Sequence, residues 1–248
     1  MQPGTVPGAV LELHASKAKG GTGPGTNSPL TTDWFDTSGN GNNGALTNFT
    51  GETPWGGSGT AVDPYTLTFD GANDLVGVPG PGLGTDFTVE MWTKNLVPQS
   101  SWCWLVEKTS TDAQGYTGLV ITINGSQPRV SFGAWFTDAT SDDYIIADVA
   151  VQHHIVFERK GGYCYIYIDG VQRGSAVANS YDATGLVGRW TLGGGPASDA
   201  TLNGSVEVFR HYPFALSTTQ VAQNYAAGPN WIAGKAIGSR VTRGLGGL

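Results

Sequence analysis

Apolar and polar positions alternate with period two along much of this chain, most clearly from His153 to Gln172 (HHIVFERKGGYCYIYIDGVQ). Ile155, Val156 and Phe157 form a β-branched and aromatic run, Lys160, Gly161 and Gly162 make a turn, and Tyr163 to Ile168 alternate strictly. Apolar runs flanking a glycine-rich turn predict a β-hairpin. Period two puts Cys164, Ile166 and Ile168 on one face and Tyr163, Tyr165 and Tyr167 on the other. Asp169 and Gly170 supply a second turn, because Gly tolerates positive φ and Asp can bond its own backbone. Both faces of this hairpin are apolar, so both need covering within a larger antiparallel assembly.

The same pattern recurs along the chain. Asp86 to Lys94 (DFTVEMWTK) sets Phe87, Val89, Met91 and Thr93 against Thr88, Glu90, Trp92 and Lys94. Further strands are expected at Val10–His14, Thr66–Phe69, Leu75–Val78, Cys103–Val106, Gly118–Ile123, Val130–Trp135, Tyr144–Ala147, Trp190–Leu192 and Val206–Tyr212. Asp36 to Gly44 (DTSGNGNNG) is dense enough in Gly and Asn for successive tight turns. One helix is expected from Ser217, a good N-cap, to Ala227, where Gly228 and Pro229 stop it. Around a dozen short strands with frequent turns predict an all-β, two-sheet antiparallel jelly-roll sandwich with one short C-terminal helix. The expected organisation is a flexible Pro/Gly-rich arm over 1–9, one domain over 10–228, and a Gly-rich basic tail over 229–248.

Composition supports strands and turns. Charged residues are 13% of the 248, against 38 Gly and 8 Trp. The net charge of -7 argues against nucleic acid and anionic membranes as partners, since both draw on basic patches. No apolar run reaches the roughly 18 residues that span a bilayer, so no membrane insertion is expected. The first 20 residues lack a basic stretch followed by an apolar one, so no secretory signal is expected, and sequons at Asn48, Asn124 and Asn203 read as chance. Cys103 and Cys164 give no disulfide framework; each reads as a small buried hydrophobe.

Four stretches resemble the laminin-G-like, concanavalin-A-like jelly-roll domains of bacterial, extracellular and phage proteins. Asp36 to Gly44 is similar to that family's D-x-S-G-N-G-N-x-G loop, and Leu67 to Val76 (LTFDGANDLV) to its L-x-F-D-G-x-x-D-x-V stretch, followed by the strand Phe87 to Lys94. The hairpin resembles W-x-H-V-A-F-x-R-x-G-G followed by L-Y-V-D-G-V. Gly204 to Ser217 lines up on G-x-I-D-E-V-R-I-Y-x-R-A-L-S. Two positions depart from the pattern: Gln152 stands where the family has Trp, and Glu207 where it has Asp. The resemblance implies paired curved sheets but no single activity, because the fold hosts lectins, hydrolases and adhesive spacers.

Catalytic machinery is not expected. The E-x-D-x-x-E strand that serves retaining glycoside hydrolases on similar folds is absent, as are a G-x-S-x-G elbow, a phosphate loop and H-E-x-x-H. His153 and His154 point to opposite faces of one strand and cannot share a metal. The resemblance implies a structural Ca2+, for which Asp36, Asn40 and Glu207 offer hard oxygens. Turn chemistry explains Asp36 equally, as a cap on backbone N–H groups. For glycan stacking the candidates are Trp102, Trp104, Trp135 and Tyr144, with Phe136 and the tyrosine stripe behind them; packing between sheets is the competing use of such rings.

A lectin-like domain without an export signal fits a virion protein, assembled in the host cytoplasm and exposed outside the cell after lysis. The expectation is a non-catalytic adhesive virion protein of a tailed bacteriophage, either a minor tail or a capsid decoration protein. It would dock other virion proteins through its two arms and contact cell-surface glycan. The alternatives are a carbohydrate-binding module or lectin exported otherwise and, third, a polysaccharide-active enzyme.

Overall fold

The structure is a computed structural model and describes residues 4–17, 33–49, 54–60, 62–97, 103–110, 117–124, 127–134, 150–194 and 201–229. Among them run β1 (Leu11–His14), β2 (Asp33–Trp34), β3 (Gly44–Thr47), β4 (Trp55–Gly56), β5 (Thr66–Asp70), β6 (Leu75–Val78), β7 (Phe87–Lys94) and β8 (Cys103–Thr109). They continue with β9 (Thr117–Asn124), β10 (Gln127–Ala134), β11 (His153–Lys160), β12 (Tyr163–Ile168), β13 (Val171–Ala178), β14 (Trp190–Leu192), β15 (Asn203–Tyr212) and the helix α1 (Thr218–Ala227). One sheet has the order β13-β12-β11-β7-β15-β5-β4, with β1 also on β15; the other runs β10-β9-β8-β14-β6-β3-β2. Every pairing is antiparallel. This is the jelly-roll sandwich expected from the alternation. The strand expected at 144–147 lies outside the described residues, and the short strands β2, β3 and β4 were not foreseen.

The hairpin forms as its residues dictate. Gly161 and Gly162 have φ 57° and 82°, and Asp169 and Gly170 have φ 53° and 76°. Two consecutive positive φ values give the two-residue turn whose twist matches that of antiparallel strands. Cys164, Ile166 and Ile168 enter the main core with Phe87, Val89, Met91, Ile155, Phe157 and Phe209 of the same sheet, facing Val76, Val78, Val106, Trp190 and Leu192 of the other. Each such side chain fully buried contributes roughly 1.5–3 kcal/mol. Cys164 is a free buried thiol, pushed up to about 12 by burial.

The opposite face of the eight-stranded sheet is covered as well. Here Val156, Tyr167 and Tyr212 pack with Val6 of the N-terminal segment and with Leu216 and Val221 at the helix. Helix α1 starts at Ser217, whose hydroxyl accepts from the Gln220 N–H while the Gln220 side chain accepts from the Ser217 N–H. Part of the arm expected over 1–9 falls among the described residues. Residues 4–9 lie on the sheet because Val6 is apolar, and its N–H donates to Asn224 Oδ1 at 2.7 Å while Gln223 Nε2 donates to the Gly4 carbonyl at 2.6 Å. Among the described residues no helix is long and apolar enough to cross a membrane.

Candidate functional site

The residues expected to hold calcium are placed separately. Asp36 Oδ1 accepts from the N–H groups of Glu12 at 3.0 Å and Ser38 at 2.9 Å, and its Oδ2 accepts from that of Asn42 at 3.0 Å. Its oxygens are thus spent on shaping the loop, the capping role that turn chemistry offered. Asn40 is exposed and donates its amide to the Val10 carbonyl at 2.9 Å. Glu207 occupies the extra position of a β-bulge between β15 and β7 and is 1% exposed. Gln152 Nε2 donates to both its oxygens, at 2.9 and 2.8 Å. Burial pushes the Glu207 carboxyl up to about 7, against the pull of Gln152 and Lys94. The two departures from the family pattern, Gln152 and Glu207, are therefore partners. Asp36 and Glu207 share no hydrogen-bond partner, and among the described residues no three His, Cys, Asp or Glu side chains are grouped to hold a metal ion. Asp36, Asn40 and Glu207 are each engaged in hydrogen bonds within the protein.

Of the rings expected to stack on glycan, Trp102, Trp135 and Tyr144 lie outside the described residues. Trp104, on β8, is only 6% exposed and so offers a sugar no open face. His153 and His154 do point to opposite faces. His153 Nδ1 pairs with Asp169 Oδ2 at 2.9 Å, whereas His154 stacks on Trp92 with 4.8 Å between ring centroids.

The densest polar chemistry lies between the eight-stranded sheet and the helix. Arg210 on β15 donates from Nε to Glu12 Oε1 at 2.7 Å and from Nη1 to Glu90 Oε1 at 2.5 Å. Asn224 Nδ2 donates to Glu90 Oε2 at 2.6 Å and to the Tyr212 hydroxyl at 3.1 Å, and that hydroxyl donates to the Val6 carbonyl at 3.3 Å. Burial alone would raise Glu90, yet Arg210, with His154 and Asn224 adding, holds its carboxyl at about 2. Arg210 is raised above its ordinary value, since Glu90 and Glu12 outweigh its own burial. Beside this cluster opens a cavity of about 260 Å3. Its floor is Glu12, Arg210 and Tyr212; residues 5–9 form one wall, and Thr37 and Ser38, from the Asp36 loop, the other. The sequence marked that loop for calcium; nothing local to it signals that it walls a cavity with a strand some 170 residues later.

Burial makes two other carboxyls weaker acids, each pushed up to about 7: Glu207, as above, and Glu158, against the pull of Lys160. Val206 is paired with Thr93 and Glu158 with Thr88, so the two acids sit about five residues apart along β7. That is roughly 17 Å of strand, beyond the roughly 5–10 Å across which two carboxyls cleave a glycosidic bond.

Among curated proteins none matches this sequence. Solved structures match the fold. Domain 4 of AbnA, a GH43 extracellular arabinanase from Geobacillus stearothermophilus in complex with arabinotriose, superposes with a TM-score of 0.63 at 19% identity, over 88% of this chain and 99% of that one. A Trypanosoma rangeli sialidase in complex with sialic acid gives 0.61 at 13% identity, over 92% of this chain and 36% of the other. The botulinum neurotoxin type G receptor binding domain gives 0.56 at 14%, over 88% and 51%. The chain thus spans about a third of the sialidase and half of the toxin domain. A family model described as Laminin_G_3, concanavalin A-like lectin/glucanases superfamily, matches residues 70–222, well over half of the chain, and with the two antiparallel sheets on the page the chain belongs to that family.

Proposed function

We propose that this chain is a non-catalytic binding module that attaches to carbohydrate. The observation that carries the reading is the end-to-end likeness to an arabinanase domain whose structure holds arabinotriose: 99% of that domain is covered. Acid chemistry supports the non-catalytic part. Glu12 and Glu90 are tied to one guanidinium, and the two carboxyls poised near neutrality are too far apart to act on one bond. In its finer form the reading sets the module on the virion of a tailed bacteriophage, exposed outside the cell and held to other virion proteins through the segment 230–248. That setting rests on the sequence resemblance alone. An exported lectin or carbohydrate-binding module is the alternative, and both make the same prediction for the isolated chain.

A glycan array that includes arabinan fragments tests the binding, and a polysaccharide panel with reducing-end detection tests catalysis. Retention on the array with no release of reducing ends is expected. Hydrolysis of any panel member, or an array without signal, overturns the reading. Mass spectrometry of virions purified from a phage whose genome encodes this chain separates the two settings: the chain is found in the particle or it is not.

A further inference from the structure

The cavity beside Arg210 has the chemistry of a ligand site. Its mouth is exposed at Pro7 and Gly8 and half-buried at Ala9, Thr37 and Ser38, while its floor is buried. Two side chains in its lining, Thr5 and Glu12, offer acceptors. Thr5 is 7% exposed, and its Oγ1 has no hydrogen-bond partner among the described residues. Glu12, 3% exposed, accepts from Arg210 Nε through Oε1, and a carboxylate offers about four acceptor sites, so it can take a ligand hydroxyl beside that bond. A buried hydroxyl left unpaired carries a desolvation penalty that a ligand donor removes. The Thr37 hydroxyl already donates to the Glu12 carbonyl at 3.1 Å and can accept from a ligand, whereas the Ser38 hydroxyl donates to the Val10 carbonyl at 3.2 Å and accepts from the Asn40 backbone and side-chain N–H groups at 3.3 and 3.1 Å. The lining is therefore rich in acceptors.

Charge narrows the ligand further. Arg210 already faces two carboxylates, Glu12 and Glu90, so an anion gains nothing from it. Val6, Pro7 and Ala9 give the wall an apolar side that suits C–H groups. A molecule that fits about 260 Å3, donates several O–H groups and shows an apolar face is a single neutral sugar unit. We infer that the cavity between the N-terminal segment and β15 binds one neutral monosaccharide unit of a glycan, with Glu12 and Thr5 accepting from its hydroxyls. The inference rests on the glycan-binding reading and names the site for it.

The test uses the full chain and methyl glycosides of glucose, galactose, mannose and arabinose at millimolar concentration, followed by amide NMR. Tetramethylammonium chloride is the cationic comparison. At least one glycoside is expected to shift the amide signals of residues 5, 6, 8, 9, 37 and 38. Thr5→Val removes one acceptor and is expected to weaken that binding about fivefold; Ala9→Leu fills the cavity and is expected to abolish it. Should Ala9→Leu fail to fold by circular dichroism, Thr5→Val carries the test. Glycan retention on the array that neither variant alters overturns this site and leaves the glycan-binding reading standing. An array and a cavity that are both silent overturn both. Shifts caused by tetramethylammonium and by no glycoside make the cavity a cation site and overturn the sugar assignment.

Discussion

Glu90 and Glu158 lie under the same covered face of the eight-stranded sheet, both shut away from water, yet Glu90 is held below the usual carboxylate value and Glu158 is pushed above it. Partners make the difference. Glu90 has a guanidinium and an amide; Glu158 Oε2 has no hydrogen bond, and burial pushes its carboxyl to about 7. Glu90→Gln leaves Arg210 short of one of its counter-charges and is expected to cost roughly 3–5 kcal/mol in urea unfolding; a cost below 1 kcal/mol would contradict the pairing. Glu158 and Glu207 both rise from 4.5 to about 7, so the stability they allow is fully present below pH 4.5 and is lost as pH climbs through 7. His211 works the other way. Burial in the core, with Lys108 nearby, holds it at about 3, so its contribution is lost as pH falls from 6.5 towards 3. Glu90 adds a similar loss between 4.5 and 2. From pH 4.5 to 6.5 two losses oppose one gain, which puts maximum stability near pH 4.5. Thermal unfolding should therefore give a higher Tm at pH 5 than at pH 8, and Glu158→Gln should narrow that gap; an unchanged gap would show that Glu158 ionises freely in the folded protein.

Helix α1 and strand β13 differ in how far their own residues announce them. Ser217, Gln220 and Gly228 mark both ends of α1, and the helix forms within one residue of where they place it. Ser217→Ala removes the cap and is expected to cost about 1 kcal/mol, read as a lower urea midpoint together with faster amide exchange over 218–227. Strand β13 (VQRGSAVA) carries Gly174 at φ 64° and is half-exposed along its length, so it has neither a clean period nor β-branched density; only pairing with β12 reveals it. The tyrosine stripe of β12 was legible as a face that needs a cover, but what covers it, and how far, was not: Tyr167 is buried, Tyr165 half-buried and Tyr163 exposed. What covers it is α1 and Val6, and local periodicity holds no record of segments dozens to more than a hundred residues away.

For the molecule as a whole, alternation and turn residues were enough to specify two antiparallel sheets, because each strand buries its own face. The polar cluster was not legible, because Glu12 and Arg210 meet across 198 residues of chain. One long-range relation did leave a trace. Gln152 and Glu207 stood out singly as departures from a family pattern, and the fold makes them one unit: a carboxyl without its usual neighbours, satisfied by an amide in place of a tryptophan. The contact between Gly4 and Gln223 reaches further than the helix it pins. It sets residue 4 beside the helix that leads to residue 229, so both ends of the described domain lie on one flank, like two threads drawn to one knot. A carrier protein can accept such a unit inside one of its own surface loops without its backbone being prised apart, and the seven-stranded sheet would then face outward from that carrier.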